Sequence, residues 1–108
     1  MSAIGELTIL WSQQPSSLLI QVEGDLNQKN LETMRSFWLD KYIDVRVSQV
    51  TISLIAIKTI DYVCMHHLIV WLTRLRINVS NISIKTSSRA ISEILSLCQI
   101  EQWAVLEK

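Results

Sequence analysis

Residues Val50 to Ile57 read Val-Thr-Ile-Ser-Leu-Ile-Ala-Ile, a run rich in β-branched side chains and apolar at odd and even positions alike. A strand with one wet face alternates, so this pattern predicts a central strand covered on both sides. Such a strand requires pairing partners and packed layers, and the composition can supply them. Of 108 residues 49% are hydrophobic and 19% charged, a balance that excludes intrinsic disorder. A chain of this length buries about two-thirds of its unfolded surface and needs no disulfide or metal to hold one core. One domain over residues 1–108 is expected.

The flanking segments complete a pattern. Leu7 to Trp11 is a short apolar strand, Gln13-Gln14-Pro15-Ser16 has turn chemistry, and Ser17 to Glu23 alternates with Leu18, Ile20 and Val22 on one face. These segments predict an opening hairpin, with Gly24 ending its second strand. Asn30 is a suitable N-cap, and Leu31, Met34, Trp38 and Tyr42 recur at helical spacing, so a first helix is expected from Leu31 to Lys41. Asp61 is placed to cap a second helix over Tyr62 to Leu75. Ile82 to Lys85 is a short strand. Ser87 or Ser88 opens a third helix with a stripe of Ile91, Ile94, Leu95 and Cys98, and Trp103 to Leu106 is a last strand. The order ββαβαβαβ predicts an α/β fold, a mixed sheet with parallel crossovers and packed helices.

Charge and motif content narrow the function. Ten Lys and Arg balance ten Asp and Glu, so the concentrated cationic surface of a nucleic-acid binder is not expected. With two Gly and one Pro there is no dinucleotide or phosphate loop and no nucleophile elbow. No spacing bears a catalytic mechanism, so an enzyme is not expected. The first basic residue is Lys29, which leaves no charged region for a secretory signal. The longest uncharged apolar stretch, Tyr62 to Thr73, interrupted by His66 and His67, is too short to span a membrane. Cys64 and Cys98 lack metal or redox spacing. A soluble cytoplasmic protein with reduced thiols, no cofactor and no direct membrane insertion is the expectation.

Three strings carry a resemblance. Val22-Glu23-Gly24-Asp25-Leu26-Asn27 is similar to a turn "φ-x-G-E-L-D", where φ is apolar. Ile52-Ser53-Leu54 through Thr59-Ile60-Asp61 is similar to a strand entering a regulatory turn. Ser88-Arg89-Ala90-Ile91 through Leu95 and Ile100 is similar to a closing helix. In this order they resemble the STAS domain (sulfate transporter and anti-sigma factor antagonist) over Leu7 to Leu106. The resemblance implies a bacterial regulatory module that binds a protein partner. The family's regulatory turn carries a phosphorylatable Ser or Thr after the Asp. Here Asp61 is followed by Tyr62, Val63 and Cys64, so Tyr62 and Val63 form a degenerate phospho-site. Asn27 stands where the family has Asp, and these departures weigh against the nucleotide binding of some relatives.

The turn has either drifted out of use or become a permanently unphosphorylated contact surface. The second reading assigns Asp25, Asn27, Asp61, Tyr62, Val63, His66, His67, Val70 and Arg74 to a partner face, with Met65, Leu68, Ile69 and Leu72 facing the core. His66 and His67 point about 100° apart on a helix and have no third ligand, so no metal is expected. Cys64 lies in the first helical turn, where the dipole could lower its pKa, although burial as a small hydrophobe is the simpler reading. Of four Trp residues most fit core packing, with one left as a candidate interface anchor. The expected partner is an anti-sigma or kinase-like protein, or alternatively the ATPase of an ABC-type lipid transporter that this chain would serve as a soluble subunit. The oligomeric state stays open.

Overall fold

A computed structural model describes residues 7–35 and 47–107. Five strands form one mixed sheet whose spatial order follows chain order: β1 (Thr8–Gln13), β2 (Ser17–Leu26), β3 (Gln49–Ile60), β4 (Asn81–Lys85) and β5 (Val105–Glu107). β1 pairs antiparallel with β2, and β2 through β5 are parallel. The helices described are α1 (Leu31–Arg35), α2 (Tyr62–Leu75) and α3 (Arg89–Leu97). Each parallel crossover advances one strand in the same direction. Right-handed connections of that kind return over the same face of the sheet.

Burial follows that topology. Leu18, Ile20, Val22, Val50, Ile52, Leu54, Ile82 and Ile84 are buried on the helix side. On the opposite face Leu19, Thr51, Ser53 and Ser83 are half-buried, while Gln21 and Lys85 are exposed. β3 is therefore central, as the sequence requires, but it is not covered on both sides. Ile55 is 53% exposed. The apolar run is longer than the covered surface, and composition alone does not reveal which face a crossover leaves open.

Gly24 does not end β2. It adopts φ 109° inside the strand, beside register shifts against β3 between Gln21 and Glu23 and between Gly24 and Asp25. Glycine takes this conformation without a Cβ clash, so the strand bends and continues to Leu26. The cap also differs from expectation. Asn27, not Asn30, opens the short 3₁₀ turn Gln28–Asn30, its Oδ1 accepting the Lys29 N–H at 3.1 Å. Asn30 instead donates Nδ2 to the Asp25 carbonyl at 2.7 Å. The remainder of the expected first helix, with Trp38 and Tyr42, lies outside the described residues.

α2 has the bounds the periodicity predicts, and Asp61 caps it. Cys64, Met65, Leu68, Trp71, Leu72 and Leu75 bury its inner face against the sheet, and Ile69 is half-buried at the margin. Each fully buried Leu on that face contributes roughly 1.5–3 kcal/mol. Ser88 caps α3, accepting the Ile91 N–H at 3.2 Å. Trp103 belongs to no strand. It closes a 3₁₀ turn, Ile100–Gln102, and β5 starts two residues later.

Two residues past the end of α3, Gln99 adopts φ 58°. Its N–H bonds the Ser96 carbonyl at 2.9 Å, and the buried Leu95 and Ile100 flank it. This is the left-handed helix stop that glycine favours, occupied by a residue with a Cβ. Gln99→Gly is expected to raise the unfolding free energy by about 0.5–1 kcal/mol, whereas Gly24→Ala lowers it by at least that much. Urea denaturation of the two variants checks both.

Candidate functional site

The carboxyl ends of β2 and β3 run side by side, because Asp25 registers with Thr59 and Leu26 with Ile60. The Asp61 N–H then bonds the Leu26 carbonyl at 2.9 Å. This bond joins the turn after β2 to the start of α2. The Thr59 hydroxyl donates to Asp25 Oδ1 at 3.2 Å and ties the same turns through side chains. In parallel sheets this end is where ligands and partners meet loops and helix N-termini.

Asp61 fixes the helix start. Its backbone is extended, its Oδ1 accepts the Cys64 N–H at 2.9 Å, and its carbonyl accepts the Met65 N–H at 2.9 Å. The cap fixes the positions of the next two residues. Tyr62 projects outward with 78% of its surface exposed, and Val63 beside it is 39% exposed. Cys64 turns inward and is fully buried.

That burial decides the cysteine chemistry. The Cys64 thiol is pushed up to about 12 from an ordinary 9.0, first by burial, then by its hydrogen bond to Asp61 and by the Asp61 charge. The helix dipole does not prevail over these, so a thiolate is not available near neutral pH.

The structure sorts the residues read from the sequence. Asp25, Asn27, Asp61, Tyr62 and Val63 meet at the β2–β3 end. His66 is exposed on the next turn of α2, whereas His67 and Val70 are half-buried rather than freely presented. Arg74 is exposed but eleven residues beyond Val63, about 16 Å along the axis, and does not join the cluster. The two imidazoles lie with centroids 5.9 Å apart and planes at 69°, an edge contact and not a chelate. Among the described residues no three His, Cys, Asp or Glu side chains are grouped to hold a metal.

Two members of this end were not singled out in the sequence. Thr59 links the turns, and nothing in its local pattern marks that role. Ile55 lies beyond the last β3–β4 pair, Ser53 with Lys85, and its carbonyl accepts the Ser87 hydroxyl at 3.5 Å. Its place inside the apolar run predicts burial, yet it is 53% exposed.

The fold has known counterparts. An anti-sigma factor antagonist from Mycobacterium paratuberculosis superimposes with a TM-score of 0.73 at 14% identity, over 99% of this chain and 90% of that one. The anti-sigma factor antagonist SpoIIAA in its unphosphorylated form gives 0.71 at 10% identity, over 94% and 89%. No family model and no curated protein sequence matches the chain. The fold is that of the anti-sigma factor antagonists, the STAS fold.

Folded protein is expected to leave Cys64 unmodified by a thiol-specific reagent at pH 8, while denatured protein reacts. Since the folded pKa is raised, the stabilisation from neutral Cys64 is complete below pH 9 and is lost as pH rises from about 9 toward 12. Cys64→Ala should flatten that alkaline slope in denaturation measured from pH 8 to 11. Asp61→Ala should cost about 1 kcal/mol through loss of the cap, measured by urea denaturation.

Proposed function

We propose that this chain is one STAS-like domain acting as a non-catalytic, cytoplasmic, protein-binding regulatory module. Its contact surface is centred on Asp61, Tyr62 and Val63 with the Asp25–Asn27 turn beside them. The observation that carries this reading is a rigidly capped helix start that presents Tyr62 and Val63 outward at the strand-end pole of an anti-sigma antagonist fold. No described helix is long and apolar enough to cross a membrane. A phosphorylation switch needs a group that gains charge at this turn. Val63 has no hydroxyl, and Tyr62 is a phenol where the resemblance implies a Ser or Thr acceptor, so the surface binds constitutively or is controlled elsewhere. The partner is an anti-sigma or kinase-like protein.

Val63→Asp tests the surface. A carboxylate in the first turn of α2 meets a favourable dipole worth roughly 0.3–1 kcal/mol, so folding is expected to change by no more than about 1 kcal/mol. Buried unpaired in a contact, the same charge costs several times more, and capture of the partner should fall at least tenfold. Leu68→Asp is the contrast: its side chain is fully buried, and it should unfold the domain. Thermal melts and pull-down from the native host read both effects. Unchanged capture by a folded Val63→Asp protein would remove this surface from consideration. Recovery of a transporter ATPase instead of an anti-sigma or kinase-like protein would reassign the partner.

Incubation with an anti-sigma kinase and ATP should add no phosphate at Tyr62 or elsewhere in this turn, nor at Ser53, with intact mass as the measurement. Stoichiometric phosphate on the turn would overturn the non-switching reading.

A further inference from the structure

We infer that β1 is a self-complementary docking strand, and that two copies of this chain join antiparallel along it, with Leu10 beside Leu10 of the second copy. The inference does not involve α2 and is independent of the partner surface above.

Among the described residues β1 forms one edge of the sheet. Protein edges are usually blunted by charges, proline, bulges or shortness. β1 has none of these devices. Thr8-Ile9-Leu10-Trp11-Ser12-Gln13 contains no Lys, Arg, Asp, Glu or Pro, and its six residues pair with β2 without a register break. The other edge differs: β5 has three residues and ends in Glu107. The exposed apolar side chains of β1 lie at its centre, Leu10 at 50% and Trp11 at 48%.

The residue order indicates what the edge accepts. A two-fold axis normal to the sheet turns a strand antiparallel to its own copy and keeps each face on the same side. Leu10 lies opposite Gln21 on the open face, and Trp11 lies opposite Ile20 on the helix side. With the axis at Leu10, Thr8 meets Ser12 of the second copy, Ile9 meets its Trp11, and Leu10 meets its Leu10. The flanking pairs belong to favourable cross-strand classes, hydroxyl with hydroxyl and β-branched with aromatic, and the axial pair removes two apolar side chains from water. An axis at Trp11 would pair the two Trp11 side chains but set Leu10 against Ser12 and Ile9 against Gln13, two apolar–polar mismatches on each side. Charge does not oppose self-association, since the chain's formal net charge is zero.

Sedimentation equilibrium between about 1 μM and about 1 mM, the span that separates firm from weak association, is the primary test. The wild-type chain should reach twice its 12.4 kDa mass. Leu10→Lys and Leu10→Glu should each remain monomeric, because like charges would face each other across the axis. A mixture of the two should dimerise again, since the charges become complementary. Hydrogen exchange is the second measurement: protection of a peptide covering Thr8–Gln13 should rise with wild-type concentration. This reading does not depend on the variants folding. A wild-type chain that stays monomeric throughout the range, or a dimer without added protection in this segment, overturns the proposal. Folded variants that dimerise alone, or a mixture that does not re-associate, overturn the register at Leu10.

Discussion

The backbone bond from Asp61 to the Leu26 carbonyl, made at the end of the longest parallel pairing in the sheet, holds together the turn after β2 and the start of α2. β2 and β3 leave the sheet side by side, so the chain after each begins at nearly the same place. The cap on α2 depends on this arrangement, because Asp61 must hold extended backbone while its carbonyl starts the helix. The helix in turn supplies much of the core through Met65, Leu68, Trp71, Leu72 and Leu75. Packing and presentation are thus coupled: the residue that starts the buried helix also fixes the directions of Tyr62 and Val63.

Much of this was legible in the residues, for local physical reasons. α2 was readable because Asp61 has a short acceptor at the right spacing and the apolar residues behind it repeat with a helical period. Ser88 and the stripe from Ile91 to Leu95 marked α3 in the same way. The hairpin and the central place of β3 followed from alternation and from the run at Val50. What failed depended on tertiary context. Ile55 resembles its buried neighbours in sequence, but its exposure is set by which face the crossovers leave open. Gly24 reads as a stop, yet pairing with β3 carries the strand through it. Asn27 and Asn30 are both competent caps, and only the folded turn selects between them. The simpler reading of Cys64, a small buried hydrophobe, is the one the structure shows: burial in the completed core outweighs the helix dipole.

The candidate site was legible as a place more than as a set of side chains. Asp61, Tyr62 and Val63 could be put together because they are consecutive at a helix start. Asp25 and Asn27 joined them because parallel pairing brings the two strand ends together. Periodicity extended the face too far along α2. His67 and Val70 turn partly inward at the helix flank, and Arg74 is three turns away. The bond from Thr59 to Asp25 is long-range, and no local pattern announces it.

The ribbon that β2 and β3 form beyond β4 has a mechanical consequence. β3 pairs with β4 only from Gln49 to Ser53, while its pairing with β2 extends to Ile60. Resistance to opening therefore declines along the strand, from a base with neighbours on both sides to a tip held from one side. Segments of this kind open at lower free energy than the body of a sheet. The tip carries Asp25, Thr59 and the entrance to α2, so a molecule gripping it would pull on strands paired from one side only. Its grip would tighten a bent ribbon while the base of the sheet stayed still.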